Sequence, residues 1–573
     1  MKTTKKILAL LLAAVMMLGM LAACGSKDSG SSNTDKPANG DNTPSASNSD
    51  TPSTNPGAVV IPEGSKVGSG VHGGTGYVTD SIQKDVVRVA ASNIGTTIAP
   101  WAGSSSGRHQ TIYSMYQPLF EYDKATGNFV LVVAKEITAT DPFTFHITIH
   151  DNIVDHDGNP FTAADAVYSI EKCVAAGNVS GMKYIDSVTQ TSDYELDVKM
   201  TTDADYQFGS SVSMIMMVTQ KAFEDSGDEM ATRPVGTGPY KFVSFESGAS
   251  FVLEKVENYW GAALSDRETN DAWYYHAQNV DRIEYIKIGE AAQQTIALET
   301  GEAEVAYQMS ADEAKRLEGN DKFNVWSTVD SRSVNLFFNC GDKSPMASKE
   351  LRQAACYAID AAGVLQMAAN GVGILSTTFG AAVFADVNPE WANDDYYGYD
   401  LEKAQELIKA SGFDTSKAIR IMINSGDGEC VAVAQIVQSY LMAAGLTVQI
   451  DQYDGASFAS NKYNADMYDI RIDKSSFSCL ADLWTQFLDS GKNDVSYAQI
   501  RDEELENLLA QLKTAEGRAN VENVNAAHYH IKDEAYVYGL YCCMIYDATT
   551  SDIVEIARMP KLFDLPGAFT YTK

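Results

Sequence analysis

From Phe143 to His150 apolar and polar residues alternate: Phe145, Ile147 and Ile149 fall on one face, and Thr144, His146, Thr148 and His150 on the other. A period of two predicts a half-buried strand. Asp85 to Ala91 reads as an earlier strand of the same kind, and Asp157-Gly158-Asn159-Pro160 marks a turn. Thr162 then stands as the N-cap of a helix opened by Ala163-Ala164-Asp165. In the second half of the chain the period switches between 3.6 and 2. Asp400 caps a helix with Leu401, Ala404, Leu407 and Ile408 on one face, stopped by Gly412. Ile419, Ile421 and Ile423 alternate as a strand, Val431 to Ala444 forms a helix closed by Gly445, and Leu446 to Ile450 forms a further strand. Leu505, Leu508, Leu509 and Leu512 mark an amphipathic helix led by Asp502. Helix and strand in alternation predict an α/β fold around a mixed or parallel sheet. The nearly all-apolar run from Tyr536 to Ile545 reads as a strand that crosses back into the first half.

The amino terminus has a different texture. Lys2, Lys5 and Lys6 precede an uncharged apolar run from Ile7 to Ala23, the layout of a secretory signal peptide. The run ends in Leu21-Ala22-Ala23-Cys24, which resembles a bacterial lipobox. That resemblance implies cleavage after Ala23 and a diacylglycerol on the Cys24 sulfur, so residues 1–23 are a lipoprotein signal peptide. Residues 24–76 follow as the lipidated cysteine and a tether of Gly, Ser, Asn, Thr, Asp and Pro, too poor in large apolar residues to offset the entropy of ordering. The expected location is outside the cytoplasm, held to the cell membrane by lipid.

The remaining length exceeds what one hydrophobic core serves, so more than one domain is expected. A formal net charge of −33 repels phosphate backbones and excludes nucleic acid as a partner. There are eight cysteines; with Cys24 set aside the rest are odd in number, irregularly spaced and without Cys-x-x-Cys. Most read as small buried apolar residues. An oxidising compartment would permit a disulfide, but no pair is selected.

Several segments resemble the extracellular solute-binding proteins of family 5, the receptors for oligopeptides, dipeptides and nickel. One is Pro234-Val235-Gly236-Thr237-Gly238-Pro239-Tyr240-Lys241-Phe242, running on to Glu257-Asn258-Tyr259-Trp260. A second is Asp157-Gly158-Asn159-Pro160-Phe161-Thr162-Ala163-Ala164-Asp165, and a third is Leu298-Glu299-Thr300-Gly301-Glu302-Ala303-Glu304. A fourth runs from Asn335-Leu336-Phe337-Phe338-Asn339 to Leu351-Arg352-Gln353-Ala354 and Tyr357-Ala358-Ile359-Asp360. Weaker matches are Ala404 to Gly412 and the Tyr536 strand. The matches fall in order and cover nearly all of Asp85 to Lys573.

The resemblance implies a two-lobed fold of the periplasmic-binding-protein kind (type II, with an extra subdomain), with a hinge between lobes that close over the ligand. It divides the chain into residues 77–330, lobe 1 with its inserted subdomain; 331–535, lobe 2; and 536–573, the return strand and the last part of lobe 1. It implies a monomeric receptor that hands a small solute, a short peptide first of all, to the permease subunits of an ABC importer, with no cofactor, no catalytic residue and no metal. A glycan fragment, a metal chelate and a signalling-sensor role share the same fold. Most of the quoted motifs read as structural, with Gly236 and Gly238 serving a tight turn and Tyr259 and Trp260 packing.

In peptide-binding relatives a Trp and then an Asp that grips the ligand's α-amino group follow a Tyr-Asp pair. Here Tyr468-Asp469 is present, the Trp is absent and the Asp position falls at Ser478 or Cys479. Asp473 and Asp482 stand nearby without matching that register. The expected ligand contacts from this lobe are Arg471, Asp473, Phe477 and Ser478, with Ser425 and Gly426 at a helix entrance suited to an anion. From the first lobe the expected contacts are Trp101, Ser105 and His109. Gly103-Ser104-Ser105-Ser106-Gly107 also matches the nucleophile elbow of serine hydrolases, but it sits in a loop without a paired His, so it reads as a polar loop. Gly68 to Gly73 matches a dinucleotide fingerprint without the preceding strand. His146, His150 and His156 are close in sequence, but His146 and His150 lie too far apart on one strand face to share an ion simply.

Overall fold

The computed structural model describes residues 59–60, 66–67, 81–102, 111–394, 396–488, 496–557 and 564–572. The signal peptide, Cys24, the Gly68 to Gly73 stretch, Ser105 and His109 lie outside them. Within the stretch read as a tether, Val59–Val60 pairs with Ile374 and Gly373, and Lys66–Val67 pairs with Trp326 and Ser327.

The architecture hangs on two strands, Phe323–Phe338 of 16 residues and Val537–Thr550 of 14, each more than twice the common strand length of about 5–6. They pair antiparallel from Phe323↔Thr550 to Phe337↔Val537. On one side Val537–Thr550 continues through Val305–Met309 into Lys84–Ala91, Val280–Lys287, Ser250–Lys255 and Tyr240–Glu246. On the other, Phe323–Phe338 continues through Ile470–Ser475 into Ala418–Asn424 and Thr447–Tyr453. One hydrophobic core gathers Val87, Val89, Phe145, Ile283 and Tyr285; another gathers Leu336, Phe337, Ile421, Ile470 and Leu505. The chain is therefore two-lobed, and the paired long strands are what both lobes share. A four-stranded sheet, Ala134–Asp141, Thr144–Ile149, Glu195–Met200 and Ile185–Ser192, is added to the first lobe. The helix Ala163–Ala176 is packed against it.

The expected elements are present with shifted ends. Phe145, Ile147 and Ile149 are the buried positions of Thr144–Ile149. Thr162 caps Ala163–Ala176, its backbone N–H and hydroxyl both donating to Asp165. Asp400 accepts the Lys403 N–H to cap Leu401–Ser411, and Gly412 ends it in the left-handed region. The helix expected from Val431 begins at Gly428, because the Asp427 carboxylate captures the Cys430 N–H. The return strand runs past Ile545 to Thr550: Asp547 and Thr549 are polar but buried, and the ladder to Phe323–Phe338 continues through them.

Gly236 and Gly238 are needed for a different reason from the one their motif suggests. A Cβ on Gly236 would sit 2.0 Å from the Met115 carbonyl oxygen, and one on Gly238 2.6 Å from that of Ser114. The Gly238 and Tyr240 N–H groups bond to these same carbonyls, so the requirement is close approach of two backbones rather than a left-handed turn. Trp260 donates to the Thr237 carbonyl, and Tyr259 bridges Gln117 and His276; both pack. The described cysteines are all buried, and no disulfide joins any two of them.

Candidate functional site

Pairing between the two long strands shifts register twice, between Val329 and Ser333 and again between Val334 and Asn335, and the first shift is the wider. Val329 faces Met544 and Ser333 faces Cys542, so Asp330, Ser331 and Arg332 together oppose Cys543 alone. Such a bulge bends a strand and re-aims its side chains. Here it turns Asp330, Ser331 and Arg332 into a cavity of about 620 Å³ whose other walls come from both lobes, within the ~300–1,000 Å³ range of small-ligand sites.

The first lobe supplies Tyr122, Lys124, Tyr184, Gln207 and Met214, and the second supplies Tyr463, Ser476, Phe477, Ser478, Asp482 and Gln486. Gly209, on the helix Asp205–Val212, has no Cβ because the Tyr122 ring occupies that space, 2.5 Å from where the atom would be. One end of the cavity is densely polar. Asp330, 3% exposed, accepts the Arg332 backbone N–H at 3.1 Å and its Nε at 2.5 Å. Ser331 bonds Ser476 at 2.8 Å, and Lys124 donates to Ser476 at 3.0 Å.

The lobes also meet directly beside the cavity. Gln207 Nε2 donates to Asp482 at 2.8 Å, and the Ser478 N–H donates to the other oxygen of the same carboxylate. Burial raises the Asp482 pKa even though both contacts favour its ionised form. Farther out, Lys513 pairs with Asp203 and Arg518 with Asp205.

The expected contacts scatter around this cavity. Phe477 and Ser478 line it. Arg471 is wholly buried: its guanidinium lies over Phe337 at 4.3 Å and beside Tyr497 at 4.6 Å, and it donates to the Lys462 carbonyl. Tyr463, whose ring centre is 5.4 Å from that guanidinium, lines the cavity, whereas Arg471 does not. Asp473 sits 3.9 Å from Arg471 with its pKa raised by burial. Trp101 belongs to the first-lobe core, donating to the Met216 carbonyl and lying 4.9 Å from Phe223. The Ser425-Gly426 entrance is filled from within. The Gly426 N–H goes to Asn424, and Asp427, which caps the helix, also takes Lys474 at 3.0 Å. His146 pairs with Asp197, while His156 is held between the backbones of Gly236 and Gly238, with its pKa lowered by burial to about 4.

The residues that sequence reading passed over are Lys124, Gln207, Asp330 and Arg332, together with Asp482, which it weighed and set aside. Asp330-Ser331-Arg332 does carry a signal: two charges and a serine interrupt an otherwise strand-forming run from Phe323 to Phe338. Nothing local marks Gln207 or Lys124, whose partners lie 275 and 352 residues away in sequence.

Residues 128–494 match the family model described as bacterial extracellular solute-binding proteins, family 5 middle. The glutathione-binding protein GsiB of Pectobacterium atrosepticum is 26% identical over 391 residues, 66% of this chain and 71% of its own. Among solved structures, the ABC transporter substrate-binding protein CtaP of Listeria monocytogenes superposes with a TM-score of 0.71 at 20% identity, over 86% of this chain and all of its own. The oligopeptide-binding protein AppA of Bacillus subtilis, solved with a nonapeptide, gives a TM-score of 0.65 at 17% identity, again over 86% of this chain and all of its own. No helix among the described residues is long and apolar enough to cross a membrane.

Proposed function

We propose that this chain, which belongs to the bacterial extracellular solute-binding proteins of family 5, captures a short peptide between its lobes and delivers it to an ABC importer. The observation that carries this reading is the interlobe cavity, whose lining includes the cations Arg332 and Lys124 and the carboxylate of Asp482. A peptide carries a carboxylate, an ammonium and a backbone of alternating donors and acceptors, and this lining offers a counterpart to each. Polar side chains and room for bridging water accept varied side chains without demanding one sequence. Asp482 stands in for the carboxylate absent at Ser478. Two of the similar proteins, one binding glutathione and one holding a nonapeptide, support a peptidic ligand.

Family 5 solute-binding proteins work outside the cytoplasm. The lipobox at Leu21 to Cys24 and the polar stretch after it support tethering to the membrane through lipid on Cys24, and one cleft per chain suits a monomer. Metabolic labelling with palmitate, retained by the natural chain and lost in Cys24→Ser, checks that part.

Ligand capture is tested by thermal melting of the purified protein against di- to hexapeptides and glutathione. A ligand at 100 times its Kd stabilises the folded state by about 2.7 kcal/mol. A raised Tm with one or more of these supports peptide capture. A flat response to all of them, with a rise on glycan fragments or metal chelates, refutes it.

A further inference from the structure

Val59–Val60 and Lys66–Val67, the two short strands that precede the first lobe, sit on opposite flanks of the long-strand pair. Ile470–Ser475 covers one flank of Phe323–Phe338 only from Ser333 onward, and Lys66–Val67 pairs with Trp326 and Ser327, before the bulge. On the other flank, Gly373–Leu375 pairs with Tyr541 and Cys542 of the return strand, and Val59–Val60 adds outside it at Gly373 and Ile374. Trp326 belongs to the first-lobe core and Ile374 to the second-lobe core. The two pairings therefore fall on either side of residues 330–332, one in each lobe. The sequence singles out the same place. No residue from 25 to 58 is Val, Ile, Leu, Met or aromatic, and that stretch ends at Val59, Val60 and Ile61, whose β-branched side chains favour strands.

We propose that these two pairings strap the hinge and favour the arrangement in which the lobes touch. Their partners are open ladder edges, which take an added strand through main-chain hydrogen bonds. From Val60 to Lys66 is six residue steps, a reach of at most about 21 Å. The strands they belong to lie four ladder spacings apart, about 19 Å across a flat sheet. Little chain is left over when rotation at the bulge carries one anchor away from the other. Both pairings are made while the lobes are in contact through Gln207 and Asp482, Lys513 and Asp203, and Arg518 and Asp205, so their hydrogen bonds add to that arrangement. A two-residue pairing is marginal by itself, so loss of one anchor loosens the other.

The test is hydrogen exchange, followed by mass spectrometry, of the full chain without ligand and of two double variants, Val59→Pro/Val60→Pro and Lys66→Pro/Val67→Pro. Successive N–H groups of a strand point to opposite sides, so a pair of prolines removes whichever one bonds the neighbour. Each variant is expected to speed exchange at least about threefold at the other anchor and at the lobe contacts. Those contacts are read at residues 478–488, around Asp482, and at Ala515, whose N–H donates to Asp205 across the lobes. The helices Ala163–Ala176 and Gly428–Ala443, one inside each lobe, keep their natural rates. Exchange at the two anchors that is as fast in the natural chain as in the variants overturns the strap itself. Loss of the anchors with no change at the lobe contacts overturns its hold on the lobes. A rise shared equally by both helices gives these residues a part in overall stability alone and overturns the hinge role.

Discussion

Asp330 accepts both the backbone N–H and the Nε of Arg332, two residues along the same strand, and does so at the point where the two lobe-crossing strands fall out of register. The carboxylate is buried while the guanidinium is half-exposed to the cavity, so the pair presents a cation whose counter-charge is held behind it. The same bulge that breaks the ladder supplies the ligand site with its charge.

Arg332→Met leaves a buried carboxylate with one fewer donor, a cost of about 1–3 kcal/mol in urea unfolding. Adding Asp330→Asn recovers part of that stability. Peptide affinity stays weakened in both variants, because the cation facing the cavity is gone. Recovery of affinity in the double variant would show that Arg332 acts on folding alone.

Gln207→Ala removes the hydrogen bond that joins the lobes at Asp482. The lost contact is with a carboxylate, for which about 1.5–3 kcal/mol is usual. That cost falls on the closed form, so dialanine affinity drops by about tenfold or more, while urea stability without ligand changes less. An unchanged Kd in calorimetry would remove this contact from the closing mechanism.

Burial lowers the pKa of His156 to about 4, and those of His276 and His528 to about 3, from an ordinary 6.5. Between pH 6.5 and these values the unfolded chain takes up protons that the folded chain refuses, so stability is lost as pH falls through that window. At about 1.4 kcal/mol per pKa unit, His156 alone accounts for about 3 kcal/mol. In His156→Gln that site no longer titrates. The stability gap between natural chain and variant, read from urea midpoints, therefore narrows between pH 7 and pH 4.5. A gap that stays constant would mean that His156 titrates alike in both states.

Gly236→Ala drives a methyl group into the Met115 carbonyl, and Gly238→Ala drives one into the carbonyls of Ser114 and Met115. Overpacking of this kind costs about 1–3 kcal/mol, since backbone has to move to relieve it. Gly289→Ala, where nothing lies within 4 Å, is the control and stays within about 0.5 kcal/mol in the same thermal melts.

The ends of elements were legible wherever one residue decides them. Asp400 and Asp502 cap through their own carboxylates, and Gly412 stops a helix by its own backbone. The family was legible because its motifs are short, ordered and local. The candidate site was legible only in part. Phe477 and Ser478 are at the cavity. Arg471 is two residues before Asp473 on one strand, where the pattern of side chains treats the two alike, yet it is enclosed by Phe337, Tyr463, Tyr468 and Tyr497. Three of those four rings sit within 30 residues of it, but which way they point is a matter of packing.

The sequence by itself determined the period of each element, its caps, the α/β alternation and the order of the family's motifs, because these depend on neighbours a few residues apart. Only the tertiary structure decided that Asp330 and Arg332 face a cavity, that Gln207 meets Asp482, and that Gly236 and Gly238 are there for Met115 and Ser114. Those relationships depend on strand register and lobe packing, which bring together residues hundreds of positions apart and leave no periodic trace in the chain.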